Sequence, residues 1–322
     1  MGIVDTLSDG FARVTRRLWL ILIPALVDVV IWLGPRLSIH KLTQRALMAL
    51  PAASELGPQY EQTWSSLQAY LTDLGSHINV LSFISLRFLG LPSLTENLTS
   101  KATPFAVARR LIEIPSLPAL LGLAVSLIML GFFIGCFCLA LIAQEVREEK
   151  IELAYVLQTT WHSWWRLATL LFVLLLLTVM MTSGVGILTA ILGILSQELA
   201  AVILNLFVWG ALLAGVYLAL VLYFALRAMI LDDVGIVRSL WHGVNVVHRN
   251  LFAVIGFVVL VNIMQTGLFY IWRMLATSVV GTLVGIIGNA YISTGLVAAS
   301  FVFYRDRFVA WQQARIEEGN SQ

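Results

Sequence analysis

Between Leu231 and Met264 the chain passes from one hydrophobic pattern to another. Val237, Leu240, Trp241, Val244, Val247 and Leu251 recur three or four residues apart and so share one face of a helix, while Arg238, His242, Asn245 and Arg249 take most of the other face. From Leu251 the polar face disappears. The apolar run that follows is about twenty residues long, which is what a helix needs to cross the hydrocarbon of a bilayer. The pattern predicts a surface helix that leads into a membrane span. Asp232-Asp233 stand just before it and are expected to cap the surface helix.

Looser versions occur twice more. Leu7, Phe11, Val14 and Leu18 fall at helical spacing among Arg13, Arg16 and Arg17, and an apolar run from Leu18 to Leu33 follows, with Trp19 and Trp32 as interfacial anchors and Gly34-Pro35 as its end. Placing Gly10 over Gly243 also pairs Leu7 with Leu240, Val14 with Val247, Arg16 with Arg249 and Leu18 with Leu251. The third version has Leu153, Leu157, Trp161 and Trp164 on its apolar face, Trp161-His162 echoing Trp241-His242, and Arg166 just before the next run. Three units in the same orientation are expected, each a cytoplasmic surface helix plus a two-span hairpin.

Five further spans are expected at about Pro118 to Ala143, Leu167 to Ile194, Leu199 to Leu226, Leu251 to Ile271 and Val279 to Val302. Short connections at Ser196-Gln197-Glu198 and Trp272 to Ser278 alternate with longer polar ones at Gln144 to Arg166 and Arg227 to Asn250. Residues 36–116 open the first hairpin. They are less apolar and are punctuated by Pro51, Pro58, Pro92, Pro104 and Pro115; Tyr60, Trp64, Leu67, Leu71 and Leu74 predict one helix, and Ile78 to Leu91 is too short to span and reads as a packed or interfacial helix. The expected fold is all-α: a polytopic membrane protein of six transmembrane helices with amphipathic cytoplasmic interfacial helices and an external helical insertion. Its parts are 1–35, the interfacial helix and first span; 36–116, the extracytoplasmic region; 117–303, a five-span bundle; and 304–322, a cytoplasmic tail.

Composition agrees with this. A soluble chain carries about a quarter of its residues as charges; here 12% are charged and 59% hydrophobic, and the net charge is only +2. With no long basic run, nucleic acid is excluded as a partner. Basic residues near span ends orient the chain: Arg13, Arg16, Arg17; Arg147, Lys150, Arg166; Arg227, Arg238, Arg249; and Arg305, Arg307, Arg315 all fall on the side of the termini. That places both termini in the cytoplasm and residues 36–116 outside the bacterial cytoplasmic membrane. The first apolar run is long and lacks a cleavage site, so it is counted as a retained span. Cys136 and Cys138 lie two apart on different sides of one helix, which suits neither a mutual disulfide nor a metal pair.

A surface helix with a glycine in its middle (Gly243) and Arg249-Asn250 ahead of an apolar run resembles a broad group of bacterial membrane proteins, and looks like the membrane domain that precedes some glycerophosphodiester phosphodiesterases. The resemblance covers mainly residues 227–275. It implies a six-span membrane module, brings no phosphodiesterase catalytic domain, and carries over no functional residue.

Among residues that can carry chemistry, Asp28 stands out, because a carboxylate inside a span costs roughly 2.5 to 3.5 kcal/mol unless paired, protonated or wetted. One reading makes it a proton or cation site on a polar path with Asn205, Asn262, Gln265 or Asn289; the other makes it an interfacial cap or a partner of Arg36 or Arg273. The amides equally suit interhelical packing, and Gly131, Gly135, Gly281, Gly285 and Gly288 provide small-residue faces for close helix approach. His162, His242 and His248 are expected as surface histidines, and Asn97-Leu98-Thr99 matches a glycosylation sequon that matters only in a eukaryotic secretory pathway. No Walker loop, nucleophile elbow, dinucleotide fingerprint or paired-His zinc motif is present, so no metal and no cofactor is expected. The expected role is a non-enzymatic scaffold, assembly or envelope-organising subunit whose partners are the lipid bilayer and, through residues 36–116, another membrane or envelope protein. The alternative is a small-solute or ion transporter using Asp28 and the intramembrane amides.

Overall fold

A computed structural model of the chain describes residues 2–49, 61–95, 111–147 and 152–320. The sequon, Pro51, Pro58, Tyr60, Pro104 and Lys150 lie outside the described residues. Helices carry nearly all of it, in the order α1 (Ile3–Arg16), α2 (Leu22–Leu33), α3 (His40–Ala49), α4 (Glu61–His77), α5 (Leu117–Arg147), α6 (Leu153–Leu195), α7 (Gln197–Leu231), α8 (Ile236–Arg249), α9 (Leu251–Leu275) and α10 (Val279–Asn320). Five of these, α5, α6, α7, α9 and the Val279–Trp311 part of α10, are long and apolar enough to cross a membrane.

The first expected span is shorter than the others. Leu18–Ile21 forms a 3-10 turn and only Leu22–Leu33 is α-helical. Pro24 has no N–H to donate backward, which suits the first turn of α2 and stops α-helix from propagating through Leu18. By contrast, the surface helix expected near Trp161 has no breaker after it. Leu153 to Leu195 therefore runs as one 43-residue helix, and the expected polar connection becomes its first turns.

The chain divides into two units. One comprises residues 1–17, 136–264 and 295–322; the other comprises 18–135 and 265–294. In the first unit, α1 and α8 have the same length, and each follows an extended glycine, Gly2 or Gly235. Their buried faces share a triplet at the same spacing: Thr6, Gly10 and Val14 on α1, and Ser239, Gly243 and Val247 on α8. Thr159, Ser163 and Leu167 repeat the spacing on α6 and are buried too. Small residues four apart let a helix lie against another backbone. A Cβ added to Gly10 would collide with the Ala299 backbone of α10, and one added to Gly243 would lie 2.5 Å from the Val221 carbonyl oxygen of α7.

The apolar residues that the periodicity placed on one face of α8 do not all point inward. Val237 is 82% and Trp241 61% exposed, while the protein-facing side carries Ser239, His242 and Gly243.

In the second unit, residues described between 36 and 116 form a folded extension rather than a run of helices alone. Arg36–Ser38 (β1) and Leu111–Glu113 (β2) pair in parallel, Arg36 opposite Leu111, which brings the two ends of the region together. Lys41 and Glu113 form an ion pair beside them, and Arg45 donates to the Pro115 carbonyl at 2.8 Å. Ile39, Val80 and Ile114 are buried in a small core with Leu74 of α4 and Leu120, Leu123 and Leu127 of α5. The stretch expected as one short helix from Ile78 instead makes two 3-10 turns, Val80–Ile84 and Arg87–Leu89, separated at Ser85.

Candidate functional site

In the second unit, α2 turns Asp28 inward beside Ile31 and Trp32, leaving it 2% exposed. The residues just after Pro92 close over its carboxylate. The Ser93 hydroxyl donates to Oδ1, the Leu94 N–H donates to Oδ2 at 3.2 Å, and the Thr95 hydroxyl donates to the Asp28 backbone carbonyl at 2.9 Å with Oδ1 3.4 Å away. Leu94 is then packed between Trp32 and Ile286. From α10, Asn289 donates Nδ2 to the Pro92 carbonyl at 2.8 Å. Two of the five polar-path candidates thus hold the same segment, 92–95, from two helices.

The remaining three do not join them in that role. Asn205 and Asn262 are exposed, and each amide donates to the carbonyl one turn earlier on its own helix, Ala201 at 3.0 Å and Val258 at 2.8 Å; Gln265 is half-buried. The five glycines all have close neighbours: Gly131 the Ile84 backbone, Gly135 the Leu86 and Leu89 side chains, Gly281 the Leu275 carbonyl, and Gly285 and Gly288 the Trp272 residue.

The first unit holds a second polar cluster that the sequence did not announce. Arg13, expected among the polar residues of a surface helix, is buried, pairs with Asp9 at 3.1 Å, and donates to the carbonyls of Glu145 and Val146 at 3.2 Å each. Arg305 donates to the same Val146 carbonyl at 2.5 Å, and Arg17 pairs with the Glu145 carboxylate at 2.8 Å. These carbonyls end α5, where the helix leaves acceptors unmatched and the macrodipole favours cations.

A row of side chains joins α7, α8 and α10. The Tyr304 hydroxyl donates to Asp232 Oδ2 at 2.6 Å, and His242 Nδ1 lies 3.1 Å from the same hydroxyl. A phenol has one proton, already directed at Asp232, so His242 must carry its proton on Nδ1 and donate it. Phe308 packs on the imidazole with ring centroids 4.5 Å apart. Burial pushes the His242 imidazole below its usual range, Asp232 pulls it partly back, and Arg238 lowers it further. His242 is therefore not a surface histidine, unlike the exposed His162 and His248.

Nor do the two aspartates cap α8, whose N-cap is Gly235 without a side-chain bond. Asp232 is spent on Tyr304, and Asp233 pairs with Arg166 at 2.6 Å. Asp233 has φ 48°, a left-handed conformation that short polar side chains tolerate better than most, and the Arg166 pair secures it.

Arg227, on α7, is 1% exposed and pairs with no carboxylate among the described residues. Its Nε donates to the Ser300 hydroxyl at 2.7 Å, and its guanidinium carbon lies 4.6 Å from the Tyr223 ring centre and 5.3 Å from that of Phe301. One trace of this is visible in sequence: Tyr223 stands four residues before Arg227, the spacing that stacks an aromatic ring under a cation on a helix. Among the described residues no group of three or more His, Cys, Asp or Glu is placed to hold a metal, and Cys136 and Cys138 are buried free thiols.

No protein-family model, curated protein or solved structure matches the chain.

Proposed function

We propose that the chain is a non-enzymatic multi-pass protein of the bacterial cytoplasmic membrane, a scaffold or envelope-organising subunit whose 36–116 region faces a protein partner outside. The observation that carries this is the folded extension itself: β1, β2 and the core around Val80 give it a fixed shape, as a recognition surface needs and a mere linker does not. Leu67 and Tyr70 of α4 lie exposed on it.

In this reading the α2 segment is a sixth, short membrane-embedded helix, both termini are cytoplasmic, and the architecture is three repeats of a surface helix and a hairpin. The matching buried triplets on α1, α6 and α8 support the repeat. The outward Val237 and Trp241, with Arg238 and Arg249 exposed beside them, support an amphipathic helix resting at the lipid interface, while Ser239, His242, Gly243, Val246 and Val247 face the protein. The resemblance to the membrane domain of some glycerophosphodiester phosphodiesterases belongs to the same proposal.

Cross-linking of cells that express the full-length chain, or a chain with Leu67→Glu and Tyr70→Glu, tests the role. The altered chain is expected to reach the membrane but lose its extracytoplasmic cross-linked partner; an unchanged set of partners ends the proposal. Transport through Asp28 takes second place, because its carboxylate would have to release Ser93 and Leu94 first. Flux that vanishes in a folded Asp28→Asn chain would reverse that order.

A further inference from the structure

From Gln197 to Ala219, α7 runs about 35 Å, a whole hydrocarbon thickness, at 1.5 Å per residue. Over that length its own chain gives it little cover. Every residue from Val208 to Ala219 is exposed, as is every residue of α6 from Leu175 to Gly184. Between Gln197 and Ala219 the half-buried positions fall near the Ser196 turn, at Ala200, Ile203 and Phe207. Asn205 lies on the opposite side of the helix from Ile203 and Phe207, with Leu212 and Val216 on its own face.

An outward amide at this depth is unusual, since hydrocarbon offers neither donor nor acceptor. One N–H of Asn205 goes to the Ala201 carbonyl, which leaves the second N–H and the side-chain oxygen without partners among the described residues. What remains is one donor and one acceptor, and another amide in the same state matches both at once with two parallel bonds.

We propose that the outward face of α7 is a self-association surface on which two copies of this chain pack about a twofold axis, Asn205 of one copy donating to Asn205 of the partner subunit and accepting from it. A twofold axis brings identical residues together, so the pair closes on itself. A strip about 35 Å long and 10 Å wide covers on the order of 350 Å² per copy, less than half of the roughly 800 Å² typical of a stable protein interface. The dimer is accordingly reversible and depends on protein density in the membrane, with the amide pair providing its specificity.

The test uses the full-length chain with Cys136→Ala and Cys138→Ala and one new cysteine at a time, in native membranes and in phosphatidylethanolamine–phosphatidylglycerol vesicles. Oxidation is expected to yield cross-linked dimer at Leu212→Cys and Val216→Cys but not at Ile203→Cys, Phe207→Cys or Ala214→Cys. In a separate assay of subunit proximity by energy transfer, Asn205→Leu is expected to lower the dimer fraction about fivefold or more at fixed protein-to-lipid ratio, and Asn205→Gln to restore part of it. Equal cross-linking around the whole helix, dimer only through Asn262→Cys on α9, or monomer at every density overturns the proposal. So does cross-linking to a different protein in native membranes with monomer in vesicles. The proposal rests on α7 lying in a bilayer, and release of the protein by alkaline carbonate would refute that premise separately.

Discussion

Asp28 and Arg227 are both buried charges, and the chain treats them in opposite ways. The carboxylate is enclosed by hydrogen-bond donors from one short segment, so anion and segment order each other. The guanidinium bonds the Ser300 hydroxyl and lies against two aromatic residues, Tyr223 and Phe301, with no counter-ion among the described residues. Hydrogen bonds make the first charge a structural clasp, because removing it strands every donor aimed at it. The π-faces that surround the second would accept a neutral side chain almost as well.

Substitutions at the two sites can break that contrast. Asp28→Ala is expected to cost about 3 kcal/mol, since it leaves the Ser93 hydroxyl and Leu94 N–H buried without an acceptor. It should lower the unfolding temperature in detergent and open the 92–95 segment to protease; an unaltered melting curve would mean that the clasp carries no stability. Gly243→Leu should cost about 1 to 3 kcal/mol by pushing α8 off the Val221 carbonyl, measured by the same melt and by increased amide exchange in α8. Arg227→Met is expected to change stability by less than about 1 kcal/mol in either direction, as replacing a buried cation by an apolar chain of similar length often does. A loss as large as that of Asp28→Ala would show that the two charges are not opposites after all.

His242 sharpens the comparison through pH. Its folded imidazole titrates lower than the unfolded one, so the native state resists protonation. The contribution is fully present above the unfolded value of about 6.5 and is lost as pH falls through the folded value. Melting temperature should therefore decline from pH 7.5 toward 5 and the slope should flatten in His242→Asn. A slope that survives that change belongs to other groups. Asn262→Leu, at an exposed position whose amide donates to Val258 of its own helix, should move stability by less than about 0.5 kcal/mol.

Much of the architecture was legible because spans advertise themselves by length and apolarity: α7 and α9 begin within two residues of where the sequence put them. Gly10 and Gly243, aligned through their flanking leucines, valines and arginines, each lie against the backbone of another helix. What the periodicity hid was direction. It marks Val237 and Trp241 as apolar, but inward and outward exchange meaning when the surroundings are lipid, and the small-residue face of α8 is the one that meets protein. The same inversion put His242 and Arg13 on the wrong side. The pairings of Asp232 with Tyr304 and of Asp233 with Arg166 link residues 72 and 67 positions apart, which no local pattern encodes. Asp28 was visible as an anomaly, whereas its clasp depended on three ordinary residues, Ser93, Leu94 and Thr95, that carry no signal alone.

The Val146 carbonyl accepts from Arg13, 133 residues before it, and from Arg305, 159 residues after it. During synthesis the leading arginine leaves the ribosome long before its acceptor exists, and the trailing one arrives only after the helices that separate it from that acceptor have been made. This unit is therefore closed by the segment that carries Arg305, and a nascent chain released before that residue should remain a substrate for quality control however completely its earlier helices have formed.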